Sequence, residues 1–367
     1  MRLSFFQIKN ISNGVLGIEE KNGLILFRRF TNSQIENYNK YNPELGRKTL
    51  LNIGVSLDFV TNSSFVELDL QILWFRFNKH RVDIYVDKKY LSTFSCTKDE
   101  SNAQHIHFDL DGHGHRVTIF FDSISQVGIE SLSLSDGSSV LPVRKNLKIY
   151  VLGDSITQGF NADCPSNNYV NLLSKRLNAI VLNQGIGGEC FRSGIIDPTI
   201  QTDCDLILIA YGTNDWNSKT LDNFKNDADC FFKTIKIAYP EKKIVYISPI
   251  YREDTTRPRQ CGISFFEGCK TLINIAKENN LFVIDGLSLV PHKSKYFADG
   301  LHPNDSGFIA YEKQLFIKLK EMNILWKKRI SFLLSLSRFL PFFFLRVIVN
   351  LALTQDQWNP NTFQKVG

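Results

Sequence analysis

Apolar and polar residues alternate in short runs through the first part of the chain. Val55, Leu57 and Phe59 follow a period of two, as do Val66, Leu68, Leu70 and Ile72, and then Val82, Ile84 and Val86. That period puts the apolar side chains of each run on one face of a strand. Asp87, Lys88 and Lys89 after the third run read as a hairpin tip, and residues 105–110 and 117–121 read as two strands flanking Asp111-Gly112. Short strands separated by turn signals predict an all-β sandwich or jelly roll over residues 1–145.

Past Pro142 the period changes. Apolar runs near 147–152, 179–183, 205–210, 243–248 and 281–285 alternate with helical patterns near 165–177, 221–238, 262–279 and 304–320. Strand and helix in alternation predict an α/β domain over 146–322, built on a mainly parallel five-stranded sheet. In such a sheet a site forms outside the carboxyl ends of the strands. Residues 323–367 differ from both parts. Lys327, Lys328 and Arg329 precede a Phe- and Leu-rich run over 330–353, which Arg338, Pro341 and Arg346 interrupt. Central charges make a spanning helix costly. The expected element is a helix over 325–354 that lies on a membrane surface or binds a partner, with a helix packed on the body or a true span as alternatives.

Composition narrows this picture only slightly. A chain of 367 residues suits two domains, and 43% hydrophobic with 22% charged residues is ordinary for a globular protein. The net charge is +6, with no basic stripe interleaved with aromatics over the body, so no nucleic-acid partner is expected. The seven cysteines are odd in number and include no C-x-x-C pair, which reads as reduced thiols. The first ten residues lack an apolar stretch of secretory-signal length. The expected location is the cytoplasm, with contact to the inner face of the membrane through the tail. His105, His107, His113 and His115 would share a hairpin face, where a metal could bind. The preferred reading is a polar strand face, and neither metal nor cofactor is expected.

The chemistry is concentrated in four segments. Residues 149–157 read Ile-Tyr-Val-Leu-Gly-Asp-Ser-Ile-Thr, an apolar run that breaks at Gly153 and delivers Ser155 to a helix start. Residues 183–188, Asn-Gln-Gly-Ile-Gly-Gly, follow the run 179–182. Residues 211–216, Tyr-Gly-Thr-Asn-Asp-Trp, follow the run 205–210. Residues 297–303, Phe-Ala-Asp-Gly-Leu-His-Pro, come last. A helix N-terminus favours the negative charge of a developing oxyanion. An imidazole can exchange a serine proton near neutral pH, and a carboxylate three residues earlier can reach it in one turn.

In this order the four segments resemble the blocks of the SGNH (GDSL) hydrolase superfamily, which supply Ser, Gly, Asn and His. The resemblance spans residues 146–322 and implies a flavodoxin-like three-layer domain and ester hydrolysis through an acyl-enzyme. It implies Ser155 as nucleophile, His302 as base and Asp299 as its orienting carboxylate, although some members with a front jelly roll are thought to use a Ser–His pair alone. The backbone N–H groups of Ser155 and Gly188 and the side-chain amide of Asn214 would form the oxyanion hole, with Gly187 as the alternative to Gly188. Asp154 and Asp215 are read as loop-holding carboxylates. Trp216, Tyr251 and Arg252 are candidates for the pocket wall. A β-rich front domain is similar to that of two-domain carbohydrate esterases, with a looser likeness over 127–137. The expected activity is removal of O-acetyl or other short acyl groups from an oligo- or polysaccharide. The alternatives are acyl transfer onto a surface glycan with the same triad, and a glycan-binding protein with a decayed site.

Overall fold

The computed structural model describes residues 1–255 and 259–325. By proximity along the backbone, Met1–Ile317 is one compact unit and Lys318–Gly367 another. The strands before residue 143 are β1 (Ser12–Asn13), β2 (Gly17–Lys21), β3 (Leu24–Arg28), β4 (Ser56–Thr61), β5 (Phe65–Phe75), β6 (Lys79–Val86), β7 (Lys89–Thr97), β8 (Ala103–Asp109), β9 (His115–Phe121), β10 (Ser125–Leu134) and β11 (Val140–Pro142). One sheet runs β1-β4-β9-β6-β7 with β11 also on β4, and the other runs β2-β3-β10-β5-β8. Their pairings are antiparallel. The inner faces share a single core that includes Leu57, Phe59, Val66, Leu68, Leu70, Val82, Ile84, Val117 and Ile119. This is the sandwich that the period of two predicts, and the buried residues are those of the alternating runs. The β6–β7 hairpin turns on Asp87 and Lys88, both at positive φ (50° and 68°), the geometry of a two-residue turn.

Two expectations for this segment are corrected. The strands carrying His105 and His115 do not form a hairpin: β8 pairs with β5 in one sheet and β9 with β4 and β6 in the other. Each of the four histidines instead meets local carboxylates, such as Asp69 for His105 and Asp87 for His115. The segment also contains three helices, α1 (Phe5–Ile11), α2 (Asn32–Tyr41) and α3 (Pro43–Lys48). Capping boxes start the first two, Ser4 with Gln7 and Thr31 with Gln34, and Asn42 caps the third ahead of Pro43. These helices are short and bury few apolar residues, so their caps mark them better than their periodicity.

The second half follows the predicted alternation. Strands β12 (Leu147–Gly153), β13 (Ala179–Gly185), β14 (Leu206–Ala210), β15 (Lys243–Ile247) and β16 (Phe282–Ile284) form a parallel sheet in the order β13-β12-β14-β15-β16. The helices are α4 (Ser155–Gln158), α5 (Tyr169–Leu177), α6 (Thr213–Ser218), α7 (Leu221–Ala238), α8 (Phe265–Glu278) and α9 (Asp305–Glu321). Tyr150, Leu152, Ile207, Ile209 and Tyr246 from one face of the sheet share a core with Phe224, Phe231 and Phe232 of α7 and Leu272 of α8. The intervening Ile149, Val151, Leu208 and Val245 are equally buried. This order of strands is flavodoxin-like, and its switch point lies at β12, flanked by β13 and β14. The tail expected to touch a membrane, 325–354, falls outside the described residues except for Leu325. Among the described residues no helix is long and apolar enough to cross a membrane.

Helix α4 lies hard against β13. A Cβ at Gly185 would sit 2.5 Å from the backbone N of Gln158 and 2.8 Å from the carbonyl carbon of Thr157. Gly185→Ala is expected to lower the unfolding free energy by about 1–3 kcal/mol, because backbone rather than a flexible side chain must move. Gly114→Ala, where a Cβ meets nothing within 4 Å, serves as the control. Denaturant midpoints that match for the two variants would refute this packing.

Candidate active site

Ser155 is the first residue of α4, directly beyond β12. Asp154 caps the helix, its Oδ1 accepting the Ile156 N–H at 2.9 Å. The Ser155 Oγ lies 2.8 Å from His302 Nε2, and His302 Nδ1 lies 2.7 Å from Asp299 Oδ2. An ionised Asp299 accepts the Nδ1 proton, which leaves Nε2 free to accept from the serine hydroxyl. The other carboxylate oxygen of Asp299 accepts the backbone N–H groups of Leu301 (3.1 Å) and His302 (2.7 Å), so a single tight turn holds imidazole and carboxylate together. Ala298 donates its N–H to the His302 carbonyl at 2.9 Å and closes that turn. Asn161 adds a hydrogen bond to Asp299 Oδ2 at 3.1 Å, and the Phe160 ring meets the imidazole edge-on at 4.7 Å.

Burial drives the His302 pKa below its ordinary 6.5, against the opposing pull of Asp299, and the positive charges of Arg252 and Arg76 push the same way as burial. Asp299 moves down too: burial alone would raise it, but the bonds from His302 outweigh that. Asp154 is the opposite case. Burial pushes its carboxyl up to about 7, only partly offset by the Ile156 N–H.

The glycine loop after β13 comes to the same place. The Gly187 N–H donates to Gln158 Oε1 at 2.8 Å. Among the described residues, the N–H groups of Ser155 and Gly188 have no acceptor. Gly188 has φ +89°, a backbone region that favours glycine. Asn214, in the first turn of α6 beyond β14, donates from its side-chain amide to the Glu189 carbonyl at 2.9 Å, with its second amide hydrogen unspent. Asp215 accepts the Phe191 N–H at 3.0 Å and pairs with Lys219 at 2.7 Å, and Glu189 pairs with Arg192 at 3.2 Å. These buried carboxylates fix the loop from below, as the loop-holding reading of Asp215 expects. The turns after β12, β13 and β14 thus bring Ser155, Gly188 and Asn214 to one end of the sheet, where the loop of Asp299 and His302 meets them.

The proposed pocket wall fares differently. Trp216 is corrected: it is 2% exposed, gives its indole N–H to the Ile263 carbonyl at 2.9 Å and packs edge-on against Phe265, so it is core. Tyr251 is half-buried and stacks on His292 at 4.2 Å, beside Phe297. Arg252 is buried over Trp216 and donates to Thr213 Oγ1 at 3.1 Å, and its charge reaches His302.

Four residues that carry no motif also meet the site. Gln158 accepts from Gly187 and donates to the Ser123 carbonyl at 2.7 Å, which ties the loop to the front sheets. Lys48 donates to the Gly187 carbonyl at 3.0 Å. Arg76, just past β5, lies beside Gln158 and Gly187. Phe160 borders both His302 and a cavity of about 320 Å³ that Phe77, Lys79, Arg81, Asn161 and Asp163 also line. Position in sequence gives no hint of Lys48 or Arg76, which arrive from the front half. Gln158 and Phe160 follow Ser155 closely and were the ones within reach. Among the described residues no group of three or more His, Cys, Asp or Glu has metal-holding geometry.

Residues 151–308 match the model of the GDSL-like Lipase/Acylhydrolase family. No curated protein matches the sequence. Among solved structures the chain is similar to the salicylyl-acyltransferase SsfX3 from a tetracycline biosynthetic pathway (16% identity, TM-score 0.71, covering 86% of this chain and 95% of that one). It is similar to a GDSL-like lipase from Bacteroides ovatus (17%, 0.68, 87% and 96%). It is also similar to a family two carbohydrate esterase from Clostridium thermocellum (13%, 0.58, 74% and 93%). At these identities the structural likeness establishes the shared fold alone. Residues 151–308, which carry the four blocks in order, match the family model and are similar to the SGNH (GDSL) hydrolases.

Proposed function

We propose that this chain is a serine esterase that removes O-acetyl or other short acyl groups from a carbohydrate. The observation that carries this reading is the unbroken line Ser155–His302–Asp299 beside two N–H groups that have no acceptor among the described residues. His302 Nε2 takes the hydroxyl proton as Ser155 Oγ attacks the acyl carbonyl. The carbonyl oxygen becomes negative and is received by the N–H groups of Ser155 and Gly188 and the Asn214 amide. Collapse expels the sugar oxygen, which takes the proton from His302, and the acyl group stays on Ser155. A water, deprotonated by His302, then releases the acid and restores the serine. Engagement of the Gly187 N–H by Gln158 favours Gly188 as the loop donor.

A sugar as the alcohol is supported by the cavity beside Phe160, which offers two phenyl rings and several polar groups, and by the likeness to family two carbohydrate esterases. A short acyl group is supported by the tight setting of Ser155, which is 8% exposed. The acyl-enzyme would equally serve transfer if a sugar hydroxyl displaced water, and the likeness to an acyltransferase favours keeping this second reading. All seven cysteines are unpaired, which supports a reducing compartment such as the cytoplasm.

With p-nitrophenyl acetate, Ser155→Ala and His302→Ala are each expected to lower kcat by roughly 10⁴-fold or more. Asn214→Ala is expected to cost about 100- to 1000-fold. A folded Ser155→Ala protein that keeps wild-type turnover would sink the proposal.

The pH profile is a separate test. His302 must be neutral to accept the proton, and its pKa lies below 6.5, so kcat/KM should be flat at neutral pH and fall only on acidification past an inflection below 6.5. Asp299 is what raises this pKa against burial, so Asp299→Asn should move the inflection further down. An inflection above 6.5, or one moved upward in the variant, contradicts this assignment.

A further inference from the structure

Several charged groups buried elsewhere in the molecule have charged partners, whereas the wholly buried Arg29 rests on the carbonyls of Leu51 and Asn183. Asp58 is held by Arg116 and Lys145, Asp215 by Lys219, and Glu312 by Arg176. Among the described residues, the cations beside Ser155 also lack a carboxylate partner. Among the described residues Arg76 has no carboxylate within salt-bridge distance, and its side-chain hydrogen bond to Gln158 Oε1 is long at 3.5 Å. That oxygen already accepts the Gly187 N–H at 2.8 Å. Glu44 acts on Arg76 only from a distance. Lys48 rests on the Gly187 carbonyl and Arg252 on the Thr213 hydroxyl, likewise without a carboxylate.

Arg76 is the member of this set placed to meet a ligand. Its backbone N–H is fixed to the Ile124 carbonyl at 3.1 Å. Its guanidinium carbon lies 5.4 Å from the Phe77 ring centre and 5.6 Å from that of Phe160, the ring that also touches His302. On the other side, a Cβ at Gly187 would come within 3.1 Å of Nη1. The guanidinium is therefore held between the glycine loop and the two rings that border the cavity, and it is half-buried. Removing a cation from water without an anion is unfavourable, and a bound anion reverses the balance. A guanidinium fork matches a carboxylate with two parallel hydrogen bonds.

We propose that the ester is carried by an acidic sugar, and that Arg76 binds its carboxylate. This rests on the esterase reading for the bond cleaved, but not for the binding. Lys48 and Arg252 contribute positive potential and do not touch the sugar. The proposal narrows the substrate class from acylated carbohydrate to acylated uronic acid or a similar carboxylated sugar.

The test uses a matched pair, O-acetylated methyl galactoside and O-acetylated methyl galacturonoside, which differ only in oxidation at C6. Turnover is measured with the full chain and with Arg76→Gln, and affinity for both sugars is measured by calorimetry on Ser155→Ala and on the Ser155→Ala, Arg76→Gln double variant. The expected preference for the uronoside is about 10- to 100-fold, the worth of a charge-assisted pair, and it should lie mainly in KM. Arg76→Gln should remove most of that preference, in turnover and in affinity alike. Equal kcat/KM and equal affinity for the two sugars overturn the proposal while leaving the esterase reading intact. So does a preference that survives Arg76→Gln. Binding that favours the uronoside through Arg76, with no turnover of either ester, sinks the hydrolase reading and upholds the carboxylate site. The 6-phosphate of the acetylated galactoside is the third arm, and tighter binding of it than of the uronoside overturns the carboxylate assignment in favour of phosphate.

Discussion

The site depends on how closely the first turn after β12 can approach β13. Gly153 and Gly185 face each other across that junction as paired residues of the parallel ladder, and each lacks the Cβ that would collide with α4. At Gly153 the collision would be with Thr157, and at Gly185 with the backbone of Thr157 and Gln158. Asn183 reinforces the junction, donating from its side-chain amide to the Thr157 carbonyl at 2.8 Å and accepting the Gly185 N–H at 2.8 Å. With α4 held there, Ser155 stands at the end of the sheet and Gln158 reaches the glycine loop. A bulkier residue at either position would separate Ser155 from the loop that faces it.

Electrostatics divides the site into two levels. Below the glycine loop, Glu189, Asp215 and Asp154 are buried, and burial raises all three carboxyls, while Arg192 and Lys219 hold the first two. These groups fix the course of the loop and the α4 cap. Around the serine the excess is positive: among the described residues Arg76, Lys48 and Arg252 stand without carboxylate partners, and Asp299 is the acidic group in line with His302. That imbalance works with burial to keep His302 neutral, while Asp299 holds its tautomer.

The front sheets are part of this arrangement. Ser123, in the turn between β9 and β10, accepts from Gln158, and Arg81 of β6 donates to the Ala162 carbonyl at 3.2 Å beyond Phe160. Arg76 and Lys48 enter from the same half. The parallel-sheet half thus supplies Ser155, Gly188, Asn214, Asp299 and His302, and the antiparallel sheets supply one wall of the cavity beside them.

Much of this was legible in the sequence for a local reason. A strand reveals itself by its period, and a turn after a strand reveals itself by its glycine. The runs at 147–152, 179–183 and 205–210 therefore locate Ser155, Gly188 and Asn214 at one end of a sheet, and the helical pattern over 221–238 coincides with α7. Asp299 and His302 lie in one turn, so their meeting needed only three residues of chain. The helices α1 to α3 escaped because so few of their residues are buried that the apolar period is faint. The sequence determined the elements of the parallel-sheet half and the order of Ser155, Gly188, Asn214 and His302 along the chain. Tertiary structure alone decided that Trp216 is core, that the strands of His105 and His115 part into different sheets, and that Arg76 and Lys48 arrive beside the glycine loop with no carboxylate partner among the described residues. Those outcomes depend on which surfaces pack against each other across long stretches of chain, and no local period encodes that.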